Sequence, residues 1–119
     1  MDMKFINELD KLLLKPKKIV VIPHRNPDGD ALGSSLALKH YLSKKGHETS
    51  VISPNDYPNF LKFLPGESEI LKYSINPNDA RKKINNAEII FTLDFNSLSR
   101  AQDLTDIIKN SSAKKIMID

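Results

Sequence analysis

The chain has 119 residues, 39% of them hydrophobic and 28% charged, and a formal net charge of +3 at pH 7. That is room for one modest globular domain and excludes a disordered or fibrous chain. It contains no cysteine, which excludes disulfides and thiolate metal sites, so any metal must rest on oxygen and imidazole ligands.

Residues 3–14 place Phe5, Ile6, Leu9, Leu12 and Leu13 at helical spacing, and Pro16 ends the pattern. Ile19-Val20-Val21-Ile22 is a β-branched run suited to a strand buried on both faces. After the loop around Arg25–Gly29, a helix is predicted from Ala31 to Lys45, with Leu32, Leu36, Leu38, Tyr41 and Leu42 inward and Gly46 as its stop. Thr49 to Ser53 reads as a second strand. Residues 54–66 read as a short helix or packed loop, in which Phe60, Phe63 and Leu64 are expected to serve as core or as a flap hinge, not as a base-stacking platform. Asn78 or Asp79 is expected to cap a helix from Ala80 to about Asn85. A strand over Glu88–Leu93, a helix over Ala101–Asn110 and a last strand over Lys114–Ile118 complete the series. Strands alternating with helices predict an α/β fold, a mostly parallel sheet with helices on both faces. Ligands of such sheets bind beyond the carboxyl ends of the strands. His24, Asp94 and Asp119 each follow a predicted strand directly.

The densest chemistry lies in Pro23-His24-Arg25-Asn26-Pro27-Asp28-Gly29-Asp30-Ala31-Leu32-Gly33-Ser34-Ser35. An imidazole and two carboxylates fall within seven residues on a strand-to-helix turn. Gly29 is expected to let the backbone bend tightly between the two aspartates. Structural readings stand beside the functional ones: Asp30 as a helix cap, Asp28 as a turn former, His24 as a strand-end histidine. Carboxylates crowded here and at Asp94 would repel one another unless protonated or bridged by cations. A pair of divalent ions relieves that conflict and suits attack of water on a phosphate ester. Gly33, Ser34 and Ser35, in the first turn of the helix, suit either close packing on the sheet or contact with a phosphate oxygen. His40 and His47 are expected at the surface. Asp103 and Asp106 are placed at an exposed helix start.

The stretch from His24 to Ser34 closely resembles motif I of the DHH phosphoesterases. Thr92-Leu93-Asp94 with Ser97-Leu98-Ser99-Arg100 resembles motif II, and Ile116-Met117-Ile118-Asp119 resembles the approach to the Asp-His-His triplet that names the family. The resemblance runs from Lys18 onward and is strongest to the oligoribonucleases that also hydrolyse 3′-phosphoadenosine 5′-phosphate. It implies that His24 and Asp28 hold one metal, Asp30 the other, and Asp94 both, with Asp30 and Asp94 central to catalysis. It further implies that Asp119 orients a histidine outside these residues, and that Ser34 and Arg100 contact substrate, unless Arg100 locks the motif II turn and Ser34 packs. The implied cofactor is two Mn²⁺ ions, with Mg²⁺ or Co²⁺ as substitutes. The implied partners are short RNA or DNA oligonucleotides or nucleotide phosphates.

The family's second metal site also needs a later histidine and aspartate, and its members carry a C-terminal substrate-binding domain. Residues 1–119 are therefore expected to be the N-terminal part of a DHH domain and inactive alone. The alternatives are a non-catalytic nucleotide- or partner-binding module or, within the family, a cyclic-dinucleotide phosphodiesterase or a RecJ-type exonuclease. No apolar run reaches the length of a membrane span, and residues 1–14 lack a secretory leader's pattern. A cytoplasmic protein without membrane association is expected. The lysines are scattered and read as solvated ends of elements rather than a nucleic-acid track.

Overall fold

A computed structural model describes residues 3–93 and 104–118. The elements run α1 (Met3–Leu12), β1 (Lys18–Pro23), α2 (Gly29–Lys44), β2 (Glu48–Ser53), β3 (Leu71–Lys72), α3 (Pro77–Asn86), β4 (Ile89–Leu93), α4 (Thr105–Asn110) and β5 (Lys114–Ile118). One-turn 3-10 helices at Asn59–Leu61 and Glu67–Glu69 lie between β2 and β3. The sheet order is β3-β2-β1-β4-β5, and every pairing among the described residues is parallel.

Alternation along the central strands sorts two cores. Ile19 and Val21 of β1, with Val51, Ile89, Phe91 and Ile116, face Leu32, Leu36 and Leu42 of α2 and the half-buried Leu9 and Leu12 of α1. Val20 and Ile22, with Ile52 and Ile90, face Ala80 and Ile84 of α3 and Leu104 and Ile108 on the other side. All five residues of β4 are buried, as expected of a parallel strand covered on both faces.

The boundaries differ from the predicted ones where caps decide them. Helix α2 starts two residues earlier than the apolar pattern suggests, because Asp28 is its N-cap. It ends in a Schellman turn: Gly46, at φ +97°, donates its N–H to the Ser43 carbonyl, and His47 donates to that of Leu42. Helix α3 begins at Pro77, with Asn76 as its cap, since proline suits a first-turn position that needs no amide donor. The two-residue β3 is too short to show a period in the sequence. Tyr41 is 57% exposed and does not join the core; Lys45 lies over its ring at 5.6 Å.

His40 is at the surface as expected, but His47 is 4% exposed. The Schellman turn carries it under the sheet's amino edge, where its Nδ1 accepts the Lys17 amide N–H at 3.0 Å. Phe60 and Phe63 are not core either, at 71% and 77% exposure. Leu61 and Leu64 of the same segment do the packing. Asp106 lies exposed in the first turn of α4; Asp103 is outside the described residues.

Candidate metal centre

The sheet order makes the position of the motif I loop specific. From β1 the chain winds outward through β2 and β3, then returns to add β4 and β5 on the other side of β1. The direction reverses between β1 and β4, which makes this the topological switch point, the place at the carboxyl edge where doubly wound sheets bind ligands. The register sets Pro23 level with Leu93, and Leu93 level with Ile118. His24 is the first residue past β1. Asp94 and Asp119, next in sequence after Leu93 and Ile118, lie outside the described residues, as does Arg100.

The loop from His24 to Asp28 is held by its own polar groups. His24 is half-buried, and its Nδ1 lies 2.7 Å from the Arg25 carbonyl oxygen. A carbonyl only accepts, so Nδ1 donates in this bond, which in a neutral imidazole makes Nε2 the acceptor nitrogen. This is the tautomer a metal-binding histidine adopts when its other nitrogen is anchored. Asn26, not Gly29, takes the left-handed conformation of the turn, with φ +53°; asparagine tolerates that region where most side chains do not. Its amide N–H donates to Asn55 Oδ1 at 2.7 Å, and Asn55 Nδ2 donates back to Asn26 Oδ1 at 2.7 Å.

The two aspartates divide their tasks differently from the sequence reading. Asp28 is the cap: its Oδ1 accepts the Ala31 N–H at 2.8 Å. Asp30 is an exposed first-turn carboxylate of α2, favoured there by the helix dipole. Of the three small residues that follow, Ser35 is buried and its hydroxyl donates to the Ala31 carbonyl at 2.8 Å. Gly33 makes no close approach, since a Cβ there would meet nothing within 4 Å. Ser34 is exposed.

His24, Asp28 and Asp30 thus come from one strand-to-helix turn and offer the imidazole and oxygen donors that suit Mn²⁺ or a similar cation. Among the described residues, no group of three or more His, Asp or Glu side chains stands close enough to hold an ion. The donor chemistry fits part of a metal site whose completion needs ligands from elsewhere.

The sequence reading missed the neighbouring wall. Residues 54–61 follow the carboxyl end of β2, beside β1, and this position at the ligand-binding edge was the available signal. Ser53 and Asn55 fold the start of the segment: Ser53 Oγ donates to the Asn55 carbonyl at 2.6 Å. Asp56 accepts the Tyr57 backbone N–H at 2.9 Å and pairs with Lys62 at 3.1 Å. The Tyr57 amide, with Lys62 assisting, outweighs the opposing effect of burial and holds the Asp56 carboxyl below the usual range. Burial, together with a 2.7 Å hydrogen bond to Glu67, pushes the Tyr57 hydroxyl strongly upward. Between this wall and residues 26–29 lies an open cleft of about 400 Å³.

Comparison with known proteins agrees with this geometry. Residues 18–119 match the DHH family, N-terminal domain. The chain is similar to the bifunctional oligoribonuclease and PAP phosphatase NrnA of Thermus thermophilus, at 42% identity over 67 residues, or 56% of this chain and 19% of the relative. It superposes on the crystal structure of an exopolyphosphatase-related protein from Bacteroides fragilis with a TM-score of 0.95 and 42% identity, over 99% of this chain and 35% of that one. The chain therefore spans about a fifth and about a third of the lengths of these two relatives. By the extent of the family match, and by a five-stranded parallel sheet with motif I at its switch point, the chain belongs to the DHH family.

Proposed function

We propose that this chain carries the motif I portion of a two-metal phosphoesterase that hydrolyses short RNA or DNA oligonucleotides and 3′-phosphoadenosine 5′-phosphate. The observation that carries the reading is the turn at the switch point, where the Nδ1 of His24 is anchored on the Arg25 carbonyl and, four residues on, Asp28 spends one carboxylate oxygen on its cap. The relative from Thermus thermophilus is named for both activities, which supports the substrate class. His24 and Asp28 are assigned to one Mn²⁺, Asp30 to a second and Asp94 to both, with Mg²⁺ or Co²⁺ as substitutes. When bound, such ions supply Lewis acidity that activates water and offsets phosphate charge. Ser34 and Arg100 are assigned to the substrate, and the start of α2 favours an anion beside it. Asp119 is assigned to orienting a histidine outside these residues.

On this reading residues 1–119 are the N-terminal part of the catalytic unit and turn over little substrate alone. The test is hydrolysis of a dinucleotide and of 3′-phosphoadenosine 5′-phosphate by the full-length protein, stripped with EDTA and then given Mn²⁺. Activity is expected to vanish and return, and Asp94→Ala is expected to lower turnover by orders of magnitude. Full activity in EDTA overturns the two-metal reading. Nucleotide binding without turnover in Mn²⁺ favours a non-catalytic module instead.

A further inference from the structure

We propose that Phe60 is a stacking wall for a nucleobase of the substrate, set across the cleft from the motif I loop. The inference rests on the phosphoesterase reading and deepens it. Exposure alone says little, because single apolar side chains are common on protein surfaces. Phe60 and Phe63 are 71% and 77% exposed, yet they differ in place. Phe60 lines the cleft of about 400 Å³ whose opposite side includes Asn26 and Asp28, and Phe63 does not line it. The cleft therefore sets a flat apolar ring across from a residue whose carboxylate is assigned to a metal. A ligand with a flat π-face attached to a phosphate matches both walls, and a nucleotide is such a ligand.

The ring stands on a fixed support. Phe60 is in the middle of the 3-10 turn Asn59–Leu61, between exposed Asn59 and buried Leu61. Tyr57, three residues earlier, is 7% exposed and donates its hydroxyl to Glu67, which Lys72 also binds at 3.1 Å. The reciprocal Asn26–Asn55 bonds tie the motif I loop to the same segment. The backbone on both sides of the cleft is held, so stacking has only the two side-chain torsions of Phe60 left to order, a small entropic cost. Stacking on an aromatic ring tolerates any base, as a hydrolase of mixed short oligonucleotides requires.

The chain contains no tryptophan, so Phe60→Trp introduces a single indole reporter. The variant of the 119-residue chain is titrated, in Mg²⁺, with adenosine 5′-monophosphate, with the dinucleotide ApA and with ribose 5-phosphate. Saturable quenching by the two base-bearing ligands and none by ribose 5-phosphate is expected, with no such quenching in Phe63→Trp. In the full-length protein, Phe60→Ala is expected to raise KM for a dinucleotide about 5- to 150-fold, equivalent to about 1–3 kcal/mol, with kcat little changed. Phe60→Tyr is expected to restore KM, and Phe60→Leu is not. Base-independent quenching at position 60, or the same quenching at 63, overturns the proposal. Mn²⁺-dependent turnover with an unchanged KM in Phe60→Ala overturns the stacking wall and leaves the phosphoesterase reading standing. Base-specific quenching in a protein that never shows metal-dependent turnover supports the wall and removes that reading.

Discussion

Asp28 has two tasks that chemistry can separate. As N-cap it satisfies the Ala31 N–H; as a proposed ligand it must be an anion with a free oxygen. Serine caps a helix about as well as aspartate but is a poor ligand for a hard cation. Asp28→Ser is therefore expected to keep stability within a few tenths of a kcal/mol and to lose Mn²⁺ affinity. Asp28→Ala is expected to lose Mn²⁺ affinity and also about 1 kcal/mol of stability, since the Ala31 donor loses its partner. Denaturant unfolding and Mn²⁺ titration of the two variants make the comparison. Equal Mn²⁺ affinity in wild type and Asp28→Ser would leave the residue with its capping role alone. His24 is a contrasting case, since the bond at its Nδ1 goes to the adjacent residue's carbonyl and stabilises no distant element.

At the scale of elements, the β2–β3 connection has two one-turn 3-10 helices and is held by several side-chain polar contacts. Its fulcrum is Glu67, a buried carboxylate. Burial raises its pKa, but the Tyr57 hydroxyl at 2.7 Å and the Lys72 ammonium at 3.1 Å outweigh burial and hold it below the ordinary glutamate range. A depressed carboxyl stabilises the fold fully above its unfolded pKa, and that contribution disappears as pH falls through the lower folded value. Thermal midpoints are therefore expected to fall as pH drops through and below the ordinary carboxylate range. Glu67→Gln is expected to be less stable at neutral pH and to show a shallower acid decline. Superimposable pH profiles for the two proteins would exclude this role. The network was illegible in the sequence because its members, Tyr57, Glu67 and Lys72, follow no helical or strand period; 3-10 turns and chain reversal bring them together.

For the whole molecule, stability rests on the two apolar layers that sandwich β1 and β4. Phe91, 1% exposed at the centre of β4, is the largest fully buried side chain among the described residues. Phe91→Ala is expected to cost about 3–5 kcal/mol, from lost transfer energy and the cavity left behind, measurable as a lower denaturation midpoint at unchanged slope. The alternation that places Phe91 on one face and Ile90 on the other is a local property. For that reason the α/β class, the runs of β1, β4 and β5, and the strand-end position of His24 could all be read from residue order alone. Hydrophobic period and flanking proline or glycine are written in neighbouring residues. Strand order is not: nothing local to β4 says that it pairs with β1 rather than β3, and only global packing of both helix layers decides it. The switch point beside His24 is a consequence of that pairing, and the left-handed Asn26 locked to Asn55 across 29 positions of sequence and the cleft faced by Phe60 are consequences of the pairing of β1 with β2. The sequence by itself determined the α/β alternation and that His24 directly follows a strand, with Asp28 and Asp30 at the start of the next helix. The three-dimensional structure alone decided which nitrogen of His24 is anchored, which aspartate caps α2 and which aromatic ring lines the cleft beside the motif I loop, because each depends on a contact between segments or on a backbone angle that residue order does not specify.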